Sequence, residues 1–127
     1  MSEVVVDASA LLAVLNQEPG TERWATAFKD AVMSAVNLSE VVAKLTDVGM
    51  PEKEIRLALE PLGLEIVPFD AVEAYEAGLL RAPTRGFGLS LGDRACLSLA
   101  RSRTSPVLTA DRAWSRLRLG LEIRLVR

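Results

Sequence analysis

The sequence predicts an α/β fold, a three-layer α/β/α sandwich with a mainly parallel central sheet. Three observations carry this. Short β-branched runs alternate along the chain with longer stretches of helical periodicity, the pattern of parallel strands joined by crossover helices. Glycines and prolines fall between these segments, at Glu18-Pro19-Gly20, Gly49, Pro51 and Pro61, where helices start or stop. The 127 residues contain no linker, low-complexity tract or internal repeat, so residues 1–127 are expected to form one domain.

The elements follow in order. Residues 3–6 are a short strand running into Asp7. Residues 9–16 read as a helix stopped by Glu18-Pro19-Gly20. Residues 21–30 are expected as a second helix, with Trp24, Ala27 and Phe28 on one stripe. Residues 31–35 form a strand, and residues 37–48 a helix ended by Gly49. Pro51 opens a helix over 51–60, which Pro61 is expected to break. Residues 64–69 are a strand whose Pro68 points to an early end of pairing or an edge position. A helix over 71–81, a loop over 83–89 and an apolar helix over 90–103 come next. Residues 106–109 are a strand, 112–117 a helical turn, and 121–126 the last strand. The strand order does not follow from this pattern. In open parallel sheets, however, ligands bind beyond the C-terminal ends of the strands.

Composition restricts the chemistry. The chain has no histidine, which excludes a Ser-His-Asp triad, a Cys-His pair, a histidine base and a His/Cys zinc site. Catalysis must rest on carboxylates, hydroxyls, Lys/Arg or a hard metal ion held by oxygens. The single cysteine, Cys96, has no partner for an internal disulfide and suits a reduced, cytoplasmic setting. No apolar run approaches the ~18 residues of a membrane helix, and Met1-Ser2-Glu3 lacks the positive leader of a signal peptide. Net charge is −2, unevenly placed: residues 1–80 hold 14 acidic and 5 basic side chains, residues 81–127 hold 3 acidic and 10 arginines. Arginine suits bidentate phosphate contacts, although a solvated face explains the same charge.

Four acids stand where a parallel sheet would gather them. Asp7 follows the first strand, and Asp111 follows the strand at 106–109. Glu40 and Asp93 fall in the first turns of the helices at 37 and 90. Each has a plain alternative as a helix cap: Asp7 and Asp111 before helical segments, Asn37-x-x-Glu40 and Ser90-x-x-Asp93 as capping boxes. Gathered together, the four would repel, and a divalent cation offsets that repulsion. Mg²⁺ and Mn²⁺ take carboxylate oxygens and need no histidine. Such a site is suited to activating water against a phosphodiester, with one ion or two.

Four segments resemble the PIN domain, and among PIN domains the VapC-type toxins of VapBC toxin–antitoxin systems. They are Val5-Val6-Asp7-Ala8-Ser9-Ala10-Leu11-Leu12, Ser34-Ala35-Val36-Asn37-Leu38-Ser39-Glu40-Val41, Leu89-Ser90-Leu91-Gly92-Asp93-Arg94-Ala95-Cys96-Leu97 and Val107-Leu108-Thr109-Ala110-Asp111-Arg112-Ala113-Trp114, in the family's order. The resemblance implies that Asp7, Glu40, Asp93 and Asp111 are catalytic metal ligands for Mg²⁺ or Mn²⁺. It further implies cleavage of RNA, a cognate VapB-like antitoxin and a homodimer. Ser9 and Thr109 match polar positions beside the acids and are expected to support the metal shell. Asn37 matches a position near Glu40, where simple capping is the alternative.

Arg94, Arg112 and Arg116 neighbour the acids and are the candidates for RNA phosphate contacts. Trp24 is expected in the core or an interface, whereas Trp114, close to Asp111, is balanced between core and base stacking. Cys96 is expected to be a small buried hydrophobe. Gly86 and Gly88 lack the spacing of a phosphate-cradling loop.

Other classes fit less well. A receiver-like phosphoacceptor domain needs an acidic pair after the first strand and a late lysine, but Ala8 follows Asp7 and the final lysine is Lys53. A haloacid-dehalogenase-like phosphatase needs an acid where Ser9 stands. A non-catalytic binding module remains, with the acids serving as caps alone. The four-acid chemistry does not separate RNA from DNA; the resemblance alone favours RNA.

Overall fold

A computed structural model describes residues 3–24, 26 and 28–127. Among these residues, five strands form one sheet: β1 (Val4–Val6), β2 (Ala31–Ser34), β3 (Glu65–Val67), β4 (Val107–Thr109) and β5 (Ile123–Leu125). Every pairing is parallel and the order is β3-β2-β1-β4-β5. The α-helices among the described residues are α1 (Ala8–Leu15), α2 (Ala35–Asp47), α3 (Glu52–Leu59), α4 (Ala71–Leu79) and α5 (Leu91–Arg103).

The side-chain alternation of a strand assigns the layers. Val4 and Val6 of β1 pack with Ala31, Met33 and Leu108 against Leu11, Val41, Leu45, Ile55 and Leu59 of α1, α2 and α3. Val5 packs the other way, with Val32 and Val107, against Leu80 and the α5 residues Cys96, Leu97, Leu99 and Ala100. Both faces are therefore covered, and the three-layer α/β/α arrangement is the one expected. β3 is an edge strand that ends at Val67, in keeping with Pro68.

One local expectation needs correction. The single helix over 21–30 is replaced by two 3₁₀ turns, Glu22–Trp24 and Phe28–Asp30; Ala27 lies outside the described residues. A helix this short gains little from its own hydrogen bonds, and packing decides the segment: Phe28 is buried in the core and Trp24 partly buried against it. As Pro61 predicts, the α-helix after Pro51 ends at Leu59. Pro61 is tolerated in the short 3₁₀ segment that follows, Glu60–Leu62, and Gly63, with φ of 71°, closes it in the left-handed region.

The topology places the site. From β1 the chain winds outward through β2 to β3, then returns to the far side of β1 for β4 and β5. β1 and β4 thus flank the switch point, where a crevice opens beyond the C-terminal strand ends.

Candidate metal centre

Asp7 follows β1 at this switch point. It occupies the N-cap position of α1, yet its side chain makes no capping hydrogen bond. It is instead buried, 4% exposed, and its Oδ2 accepts from Ser9 Oγ at 2.5 Å and from Thr109 Oγ1 at 3.1 Å. Thr109 ends β4 and is fully buried. The Ser9 hydroxyl also accepts from the Ala110 backbone N–H at 3.0 Å, and Thr109 Oγ1 from the Asp111 N–H at 3.1 Å. The two hydroxyls therefore tie the ends of β1 and β4 together around one carboxylate.

Burial raises the Asp7 carboxyl to about 6, and the negative charges of Asp93 and Glu40 add to the rise. The hydrogen bonds from Ser9 and Thr109 offset part of it. Desolvation dominates because a carboxylate inside the fold has lost most of its water. The same three carboxylates, with burial as the largest cause, push the Cys96 thiol well above its ordinary range. Cys96 is fully buried, as expected of a small hydrophobe.

α2 begins two residues earlier than the sequence suggests. It spans Ala35–Asp47, capped by Ser34, whose Oγ accepts from the Val36 N–H at 3.2 Å. Asn37 is therefore inside the first turn, and the proposed cap at Asn37 is corrected. With the cap already supplied, its completely buried amide is free for another task. Asn37 Nδ2 donates to Glu40 Oε1 at 2.9 Å and to the Gly92 carbonyl at 3.0 Å. It thereby holds the Glu40 carboxylate against the first turn of α5.

Asp93 is a true capping-box residue: its Oδ2 accepts from the Ser90 N–H at 2.9 Å, while Ser90 Oγ accepts from the Asp93 N–H at 3.1 Å. Asp111 caps the 3₁₀ turn Arg112–Arg116 through Oδ1, which accepts from the Ala113 N–H at 3.0 Å. The capping reading is thus right for these two and wrong for Asp7 and Glu40. Asp7 is buried, Glu40 and Asp93 half-buried, and Asp111 exposed.

Each of the four carboxylates uses one oxygen for hydrogen bonding within the protein: Oδ2 of Asp7, Oε1 of Glu40, Oδ2 of Asp93 and Oδ1 of Asp111. The second oxygen of each accepts no hydrogen bond from the described residues. Among the described residues, no three Asp, Glu or Cys side chains stand together as a ready-made metal cage. The donor chemistry nonetheless fits a hard divalent ion: all-oxygen, anionic, and oriented by other polar groups.

The arginines separate. Arg94 turns away from solvent and donates from Nη1 to the Ala77 carbonyl of α4 at 3.1 Å. Arg112 and Arg116 are exposed in the turn that Asp111 caps and form no ion pair among the described residues. Trp114 is 1% exposed in the core, so burial decides against base stacking. Gly92, whose carbonyl holds the Asn37 amide, is not marked by any motif of the sequence. Its one signal is a glycine inside a helical first turn, where alanine would be favoured.

Comparison with known proteins agrees with the fold. A PIN domain model matches residues 4–119. A chain of the DNA-bound VapBC from Salmonella typhimurium shares the fold with a TM-score of 0.80 and 21% identity, covering 100% of both chains. VapBC2 from Rickettsia felis, bound to promoter DNA, gives 0.75 and 17%, over 96% of this chain and 97% of that one. VapC20 from Mycobacterium tuberculosis, described as a sarcin-ricin loop cleaving toxin, gives 0.74 and 17%, over 89% and 93%. At these identities the likeness is one of fold. No curated protein matches the sequence.

Proposed function

This chain belongs to the PIN domain family, and on that footing we propose that it is a metal-dependent endoribonuclease, the toxin of a type II toxin–antitoxin pair. The observation that carries the reading is the free oxygen on each of Asp7, Glu40, Asp93 and Asp111, with hydroxyls and an amide orienting the acids. Capping alone accounts for Asp93 and Asp111. It does not account for a buried carboxylate at Asp7 that caps nothing.

The four acids would hold Mg²⁺ or Mn²⁺, one ion or two, through those oxygens. When bound, such an ion supplies Lewis acidity, activating water against the phosphodiester and offsetting charge on the leaving oxygen. Ser9 and Thr109 fix the Asp7 carboxylate, and Asn37 fixes that of Glu40. Arg112 and Arg116 supply exposed positive charge for the phosphates of the RNA backbone. Arg94, held by the Ala77 carbonyl, is better suited to bracing α5 against α4 than to a phosphate contact.

RNA as substrate is supported by the likeness to a toxin that cleaves the sarcin-ricin loop. A VapB-like antitoxin is supported by the likeness to VapBC complexes. A homodimer fits the exposed apolar face of α4, formed by Val72, Tyr75 and Leu79. The reduced Cys96 and the absence, among the described residues, of a helix able to cross a membrane fit a cytoplasmic toxin.

The test is incubation of the purified protein with structured RNAs and matching DNAs in Mn²⁺, beside Asp7→Asn and Asp93→Asn. Cleavage of RNA by the wild type and by neither variant is expected. Equal cleavage by a folded Asp7→Asn protein refutes the assignment, and cleavage of DNA alone refutes the RNA reading. Expression of the toxin alone should slow growth, and a small co-encoded protein should relieve it.

A further inference from the structure

Six of the eight glycines adopt positive φ, where glycine is needed for its backbone freedom. Gly78 and Gly92, both in helices, do not. A Cβ at Gly78 would meet nothing. A Cβ at Gly92 would overlap Cδ, Oε1 and Oε2 of Glu40, and nothing else is as near. Gly92 is therefore a glycine for reasons of space, and the space is taken by one carboxylate. The same residue's carbonyl accepts from Asn37 Nδ2 at 3.0 Å, and that amide also holds Glu40 Oε1 at 2.9 Å.

We propose that Gly92 is a positioning residue: its missing side chain is the seat of the Glu40 carboxylate, and its carbonyl anchors the amide that orients it. The first turn of α5 thus supplies two things to the site, Asp93 as an acid and Gly92 as the surface against which Glu40 is set. A helix without this constraint favours alanine here, because glycine loses more backbone freedom on folding. The overlapping atoms are the far end of a flexible side chain, so a methyl group displaces Glu40 rather than the backbone. Gly92→Ala should accordingly spare the fold and damage the site. The catalytic consequence rests on the nuclease reading; the packing relationship does not.

The experiment compares wild type, Gly92→Ala, Glu40→Ala and the double variant. In metal-free protein, Gly92→Ala should raise the melting temperature by up to about 4 °C in the Glu40→Ala background, where the space is vacant. In the Glu40 background the gain should be clearly smaller or reversed, because Glu40 must leave its bond with Asn37. An equal gain in both backgrounds overturns the proposal. So does unfolding of both, since the added methyl would then be meeting something other than Glu40. Mn²⁺ titration of Gly92→Ala should show affinity reduced by roughly 10- to 100-fold, and RNA cleavage should fall roughly 100-fold. Unchanged Mn²⁺ affinity also overturns it. If the wild type neither binds Mn²⁺ nor cleaves RNA, the nuclease reading fails, and the melting cycle still decides the place of Gly92.

Discussion

Thr109 Oγ1 donates to Asp7 Oδ2 at 3.1 Å, joining the end of β4 to the residue after β1 across 102 positions of sequence. Thr109→Val keeps the shape and removes the hydroxyl. It leaves a buried carboxylate with one bond fewer and the Asp111 N–H without its acceptor. The expected cost is about 1–3 kcal/mol of stability and about tenfold in cleavage rate. The hydrogen bond lowers the Asp7 pKa, so the acidic limb of the rate profile should move to higher pH. A profile that stays in place would separate Thr109 from Asp7.

Asp7→Asn should abolish cleavage and yet stabilise the metal-free protein at neutral pH. The carboxyl has an ordinary value of 3.8 and rises to about 6 in the fold. The folded state therefore binds this proton more tightly than the unfolded one. That contribution is fully present below pH 3.8 and is lost as pH rises through 6, an effect of about 3 kcal/mol. In EDTA, the variant should melt above the wild type at pH 7.5, and the gap should close toward pH 4. Matching melting temperatures at pH 7.5 would show that the carboxylate is not desolvated as the fold implies.

Metal should act in the opposite sense on the wild type. EDTA should stop cleavage, and Mg²⁺ or Mn²⁺ should restore it. At a concentration 100 times the dissociation constant, the ion should add about 2.7 kcal/mol of stability. Asp7→Asn should lose most of that gain. A wild-type melting curve indifferent to Mn²⁺ would count against the four acids as its ligands.

The arginines should divide by environment. Arg112→Ala and Arg116→Ala should leave the melting temperature unmoved and weaken RNA binding, each lowering the slope of log affinity against log salt by about 1. Arg94→Ala removes a donor held by Ala77 and should lower stability while leaving the salt slope alone. Filter binding over a salt series, beside thermal melts, distinguishes the two behaviours.

The legible features were those encoded within a few residues. Ser90 and Asp93 form the capping box that their three-residue spacing predicts, because both partners lie in one helical turn. Pro68 correctly marked an edge strand, since proline cannot donate to a central ladder. The helix over 21–30 failed because Trp24 and Phe28 reach the core from separate 3₁₀ turns, a matter of packing. The cap at Asn37 failed because Ser34, still in β2 by its burial and pairing, also serves as the cap. Trp114 could not be assigned from its nearness to Asp111, since neighbours in sequence point to different places: Asp111 is exposed and Trp114 buried.

From residue order alone came the alternation of strands and helices, the removal of histidine chemistry, and the four acids as candidates. These rest on composition and on periodicities that a short peptide already possesses. Contacts between distant segments settled the remainder: the order β3-β2-β1-β4-β5, the burial of Asp7 between two hydroxyls, and the fit of Glu40 over Gly92. No local rule encodes those, because each depends on which strand lies beside β1 and on two helix ends meeting above it.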